Sequence, residues 1–191
     1  MTLSFRTIVG ASPSTATPND STLIIIDAQN EYAEGKLKVT NASSSRKAIG
    51  SLLSKYREAH GKIVHVKHIA PDGAPVFTPK THLAEEFDEL KPQGGEKVVE
   101  KLHPGAFAET GLNEYLRGVG GLKIVLCGYM AHVCVSTTAR EGSQLGYDVI
   151  LAEDAIGDRD IPGSSGEEVT KMVMNEIGDA FGTIVQSTDI A

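Results

Sequence analysis

Leu23 to Tyr32 reads LIIIDAQNEY. Four large apolar residues, three of them β-branched, run without alternation and stop at a carboxylate. A strand that is apolar on both faces belongs in the middle of a parallel sheet, covered by helices on each side. The segments on either side of this run follow the same logic. Ser43 to His60 places Ile49, Leu52, Leu53 and Tyr56 at helical spacing, with Gly61 as a stop. Lys62–Val66, Lys97–Val99, Leu122–Cys127, Asp148–Leu151 and Thr183–Val185 read as further strands, with Gly128 closing the fourth of the six. Helices are expected at Leu112–Leu116, at Val133–Leu145 before Gly146, and at Glu167–Ile177. Strands alternating with helices predict an α/β fold: a three-layer αβα sandwich around a mostly parallel sheet of about six strands.

Length and composition narrow the classes. The chain of 191 residues suits one domain, 1–191. Residues 1–21, rich in Ser, Thr, Pro and Ala toward their end, read as a loose leader without the features of a signal peptide. Lys and Arg total 18 against 25 Asp and Glu, a net charge of −7. That balance argues against a nucleic-acid partner held through phosphates. The lack of Trp argues against stacking on bases. No run approaches the roughly 18–20 apolar residues of a membrane span. Two cysteines, Cys127 and Cys134, make no disulfide framework, so a reducing compartment and a cytoplasmic location are expected.

Open parallel sheets bind ligands at the carboxyl ends of their strands. Asp27 follows the first strand, Lys101 follows the strand at 97–99, and Cys134 lies at the start of the helix after LKIVLC. Each has an ordinary alternative: Asp27 as a turn residue, Lys101 as a solvated surface cation, Cys134 as a small buried hydrophobe. Together they supply a proton acceptor, a cation and a thiol. A helix start favours the thiolate, which predicts a low-pKa nucleophile at Cys134. Cys127, inside an apolar strand, reads as core. No G-x-G-x-x-G follows LIII, which argues against a dinucleotide site, and the cysteines are not spaced C-x-x-C. Pro71, Gly73, Pro75, Pro79 and Pro92 mark residues 69–95 as a long connection of the kind that often carries function.

Three segments resemble the isochorismatase-like family of cysteine hydrolases. IIIDAQNEY (24–32) is similar to that family's apolar strand followed by D-x-Q-N-D-F. EKLHPGAF (100–107) is similar to K-x-x-x-S-A-F, with Gly105 in place of Ser. CGYMAHVCVSTTAREGSQLGYDVILAEDAIG (127–157) is similar to G-x-x-T-x-x-C-V-x-x-T-A and the strand beyond it, with Ala131 in place of Thr. The resemblance implies a Rossmann-like topology and a triad of Asp27, Lys101 and Cys134. It implies a cis Tyr129–Met130 peptide, and an oxyanion hole made by the Met130 and Cys134 N–H groups. It implies cleavage of a carbon–nitrogen bond, amide or ureide, in a small-molecule substrate through a thioester. The alternatives are isochorismatase itself, cleaving a vinyl ether, and a catalytically silent binding protein. A homo-oligomer, dimer or tetramer, is implied too. Tyr32, His103, Phe107, Tyr129 and His132 lie beside the motifs and are candidate substrate contacts. The nicotinamidase branch holds a divalent ion, but His65, His68, Asp72 and His82 lack a recognised ligand spacing, so neither metal nor cofactor is expected.

Overall fold

The computed structural model describes residues 2–191. Six strands form one parallel sheet: β1 Thr22–Ile26, β2 Lys62–His68, β3 Lys97–Lys101, β4 Lys123–Tyr129, β5 Asp148–Gly157 and β6 Thr183–Val185. Their order across the sheet is β3-β2-β1-β4-β5-β6. The chain therefore reverses direction across the sheet between β1 and β4, which places a crevice beyond their carboxyl ends.

The continuous apolar run explains the centre. Every residue of β1 is buried. Leu23 and Ile25 pack on one face against Ile49, Leu52, Leu53 and Tyr56 of α3 (Ala42–Glu58). Ile24 and Ile26 pack on the other face, in the same apolar cluster as Leu112 and Leu116 of α4 (Leu112–Gly118), Ala139 of α5 (Ser136–Gln144) and Ile177 of α6 (Gly166–Ala180). Alternate side chains of a strand point to opposite faces, so a run without polar residues feeds both helical layers at once. Two short helices, α1 (Phe5–Ile8) and α2 (Glu31–Glu34), complete the set.

Three boundaries differ from the sequence expectation. Gly128 does not close β4; it lies inside the strand with φ +114°, facing Ile26 of β1. β5 continues six residues past Leu151 because its later pairs, Gly128 with Ile156 and Tyr129 with Gly157, resume after an irregularity. The Glu153–Asp154 step lies within that irregularity, where both the apolar pattern and the β4 pairing break. Lys101 ends β3 rather than following it. Residues 2–21 are also tied to the body rather than loose. The Phe5 N–H donates to Asp179 of α6, Ser14 Oγ to Asp148, and the Ala191 N–H to the Ala16 carbonyl.

The long connection after β2 folds back over the end of β1. The Asn30 N–H donates to the Glu85 carbonyl, and the Phe87 N–H to that of Ala28. A Cβ on Gly128 would run into the Ile26 carbonyl oxygen. Gly128→Ala is therefore expected to lower the unfolding free energy by about 3 kcal/mol, read from the urea midpoint.

Candidate active site

Strand geometry brings three distant residues together. Asp27 leaves β1 in the left-handed region, φ +50°, with its N–H bonded to the Val66 carbonyl of β2. On the edge strand β3 burial alternates, so Val99 and Lys101 point inward while Val98 and Glu100 face solvent. Lys101 thereby reaches under β2 to the end of β1. Cys134 sits in a π-helical turn, Ala131–Val135, which leads from β4 into α5. The Tyr129–Met130 peptide before it is cis. Lys101 Nζ lies 2.8 Å from Asp27 Oδ2 and 3.3 Å from Cys134 Sγ. It also donates to the His103 carbonyl at 3.1 Å and stands 3.2 Å from His68 Nδ1. Asp27, Lys101 and Cys134 are all buried.

Burial dominates the electrostatics. It raises the Asp27 pKa, and the Lys101 charge brings it only part of the way back. At Lys101 burial opposes the charge, but the neighbouring Asp27 and Cys134 outweigh it and raise the pKa. Burial pushes the Cys134 thiol up to about 12, helped by Asp27 and opposed by Lys101. This direction runs against the expectation of a low-pKa thiolate. The helix-start argument failed because desolvation of the sulfur outweighs the lysine and the dipole. The Asp27 Oδ2 oxygen is paired with the Lys101 ammonium at 2.8 Å.

With this geometry in view, the comparisons with known proteins are direct. The Isochorismatase domain family model matches residues 21–189. The chain is 62% identical over 187 residues to the secreted isochorismatase effector Isc1 of Verticillium dahliae, covering 98% of each chain. The chain belongs to the isochorismatase family. Streptothricin hydrolase of Streptomyces noursei is 34% identical over 142 residues, 73% of this chain and 50% of that protein. The solved structure of an isochorismatase from Pseudomonas putida superposes with TM-score 0.96 at 32% identity, covering all of both chains. The protein is a hydrolase of this family with an α/β fold. The cytoplasmic expectation does not stand, because the 62% identical relative is described as secreted, which points outside the cell. Two free, buried cysteines meet either redox environment, so their count carried no information about compartment.

The five candidate substrate contacts of this isochorismatase-family hydrolase divide. Tyr32 is buried, and burial, then the charges of Asp27 and Cys134, hold its phenol well above the ordinary value, so it lines the site as a neutral group. Tyr129 is a core residue: its ring packs on Tyr32 and Phe87 and its hydroxyl pairs with Ser45. The His103 side chain turns out to Glu109, leaving only its carbonyl on Lys101. Phe107 stacks on Tyr147. His132 is held by buried Asp158, which accepts from its N–H at 2.9 Å and pairs with Nδ1 at 2.6 Å. The carboxylate of Glu141 fills the place where a side chain at Gly105 would go, which explains the departure from Ser.

Two residues of this neighbourhood were missed. Asp158 follows β5 and anchors the turn that carries Cys134; it would have been found had β5 been extended to its true end. Gln29 is buried and clamps His68, accepting from its N–H and donating to its carbonyl. The histidines considered for metal diverge: His65 pairs with Glu96, His82 with Glu34, and His68 meets Lys101. Among the described residues no three His, Cys, Asp or Glu side chains gather as a ligand set. A neutral resting thiol makes a direct prediction. Iodoacetamide labelling of Cys134 in the native protein should be slower at pH 7 than that of a free thiol, and should still climb at pH 10 without a plateau. Mass spectrometry of the Cys134 peptide reads the rate.

Proposed function

We propose that the protein hydrolyses the vinyl ether of isochorismate. The observation that carries this reading is the Asp27 carboxyl: fully buried, pushed up in pKa by that burial, and 2.8 Å from the Lys101 ammonium that would hold the carboxylate left after proton transfer. Such a site is arranged to donate a proton rather than to attack. The 62% identity to a protein named isochorismatase supports the same choice. It reverses the order of the two activities suggested by the motifs.

In this mechanism the Asp27 carboxyl protonates the terminal methylene carbon of the enolpyruvyl group. An oxocarbenium ion forms and water adds to it. The hemiketal then collapses to pyruvate and the dihydroxylated cyclohexadiene acid. Lys101 holds the Asp27 carboxylate left after transfer and remains charged throughout, as its 2.8 Å contact favours. The sulfur forms no bond in these steps.

A second reading keeps the carbon–nitrogen bond. Cys134 lies 3.3 Å from the Lys101 ammonium, and one relative is a streptothricin hydrolase. Here an ionised Asp27 takes the thiol proton as sulfur attacks the carbonyl. The Met130 and Cys134 N–H groups receive the oxyanion, and Asp27 passes the proton to the leaving nitrogen. Water then releases the acid from the thioester.

The two readings differ in their variants and in their pH dependence. With isochorismate and coupled detection of pyruvate, Asp27→Asn is expected to cost about a thousandfold in kcat, while Cys134→Ala stays within about tenfold of wild type. Loss of all turnover in Cys134→Ala, together with activity on an amide or ureide panel, would move the assignment to the second reading. Because Asp27 must be protonated to act as the acid, turnover of isochorismate is expected to fall as pH rises through its elevated pKa. A reaction that needs the thiolate would rise instead.

A further inference from the structure

The first residues of the chain form a strap with an apolar outer face. Ser4 caps α1, its Oγ accepting from the Thr7 N–H at 3.1 Å. Phe5, Ile8 and Val9 stand at i, i+3 and i+4, so they share one side of that turn. Leu3 and Ile8 occupy the two positions that meet across a helix start. Leu3, Phe5, Ile8 and Val9 are each between 55% and 69% exposed. The strap itself is fixed. The Phe5 N–H donates to Asp179 at 2.9 Å, Arg6 donates to the Ser12 carbonyl and to Thr183 Oγ1, and Ser14 is bonded to Thr183 and Asp148. A tethered segment, and not a fraying end, therefore presents the apolar face.

At that exposure the four side chains leave about 500 Å² of largely apolar surface in water, the upper end of what one patch on a monomer reaches. Two such faces pressed together would cover about 1,000 Å², the area at which specific interfaces begin. The chain carries −7 overall, yet Arg6 is the only charged side chain among residues 2–18, and its guanidinium is turned inward to Ser12 and Thr183. Beside this ridge runs a groove of about 710 Å³, lined by Leu3, Glu153, Met174, Gly178, Asp179 and Ile184. Its two carboxylates are engaged, Glu153 by Gln186 and Asp179 by the Phe5 N–H. An apolar ridge entering the groove brings no like charge to them.

We propose that this face is a dimer interface, in which the Leu3–Val9 ridge of each copy of the chain enters the groove of the other about a two-fold axis. A ridge next to a groove on one surface is self-complementary under that symmetry, and both contacts form at once. Because the strap is already tethered, association orders little new chain. A lipid surface is the poorer fit: one turn of helix with its single cation turned inward offers no basic face to headgroups. The inference is independent of the reaction at Asp27, Lys101 and Cys134.

Sedimentation velocity of the full chain, over about a thousandfold range of concentration, tests this. Wild type should pass from the mass of one chain to that of two. Phe5→Ser combined with Ile8→Glu should weaken the dimer at least about a hundredfold, with the far-ultraviolet circular dichroism of wild type. A wild type that stays at the mass of one chain overturns the proposal, as does a double variant that dimerises like wild type. A second probe reports from the face itself and does not require the double variant to fold. The chain has no Trp, so Val9→Trp introduces a single fluorophore on the ridge. Its emission should move to the blue as the concentration rises through the dimer range. Emission that stays at the solvent-exposed maximum throughout, or that moves only when phosphatidylcholine–phosphatidylserine vesicles are added, overturns the proposal.

Discussion

The contact on which the rest of the site depends is the 2.8 Å approach of the Lys101 ammonium to the Asp27 carboxyl, both without exposure. Two charges this deep are expensive to desolvate, and either alone would be strongly destabilising. The sheet makes the pair reachable. β3 and β1 are separated by β2, so their backbones stand about 10 Å apart. Only a side chain as long as lysine, turned inward on the edge strand, spans that gap. The pair then sets the state of its neighbours. The ammonium stands 3.2 Å from His68 Nδ1 and 3.3 Å from Cys134 Sγ, and burial raises the thiol pKa.

Burial in this arrangement raises the pKa of both acids, Asp27 and Cys134. The same three residue types can serve a nucleophilic thiol or a proton-donating carboxyl. What selects between them is desolvation, which moves acids up in pKa whether the acid is carbon- or sulfur-borne. A helix start and a nearby cation are the textual signs of an activated cysteine. Here they are outweighed, because the π-helical turn buries the sulfur against the side chains that would otherwise ionise it.

Much of the scaffold was legible because its signals are local. LIII declared a central strand, the spacing of Ile49, Leu52, Leu53 and Tyr56 declared α3, and the carboxyl-end rule singled out Asp27, Lys101 and Cys134 before any contact was known. The failures were also physical. β5 runs on past Leu151, beyond the polar Glu153–Asp154 step, because pairing with β4 resumes at Ile156 after an irregularity that no local pattern shows. Gly128 looked like a stop, yet it is needed inside β4 where β1 comes too close for a Cβ. Asp158 was lost with the end of β5. Among the aromatic and histidine candidates, Tyr32 and Tyr129 both lie beside the motifs, yet burial places Tyr32 near Asp27 and Cys134 while the Tyr129 hydroxyl pairs with Ser45 in the core.

By itself, then, the amino-acid sequence determined the layered parallel architecture and the three side chains at its working edge, because periodicity and strand ends are properties of neighbouring residues. Only the tertiary structure decided the burial of those side chains and the contact of His68 with Lys101. Both arise from burial and from contacts between strands far apart in the chain, such as residues 27, 68, 101 and 134, whose proximity no local pattern encodes.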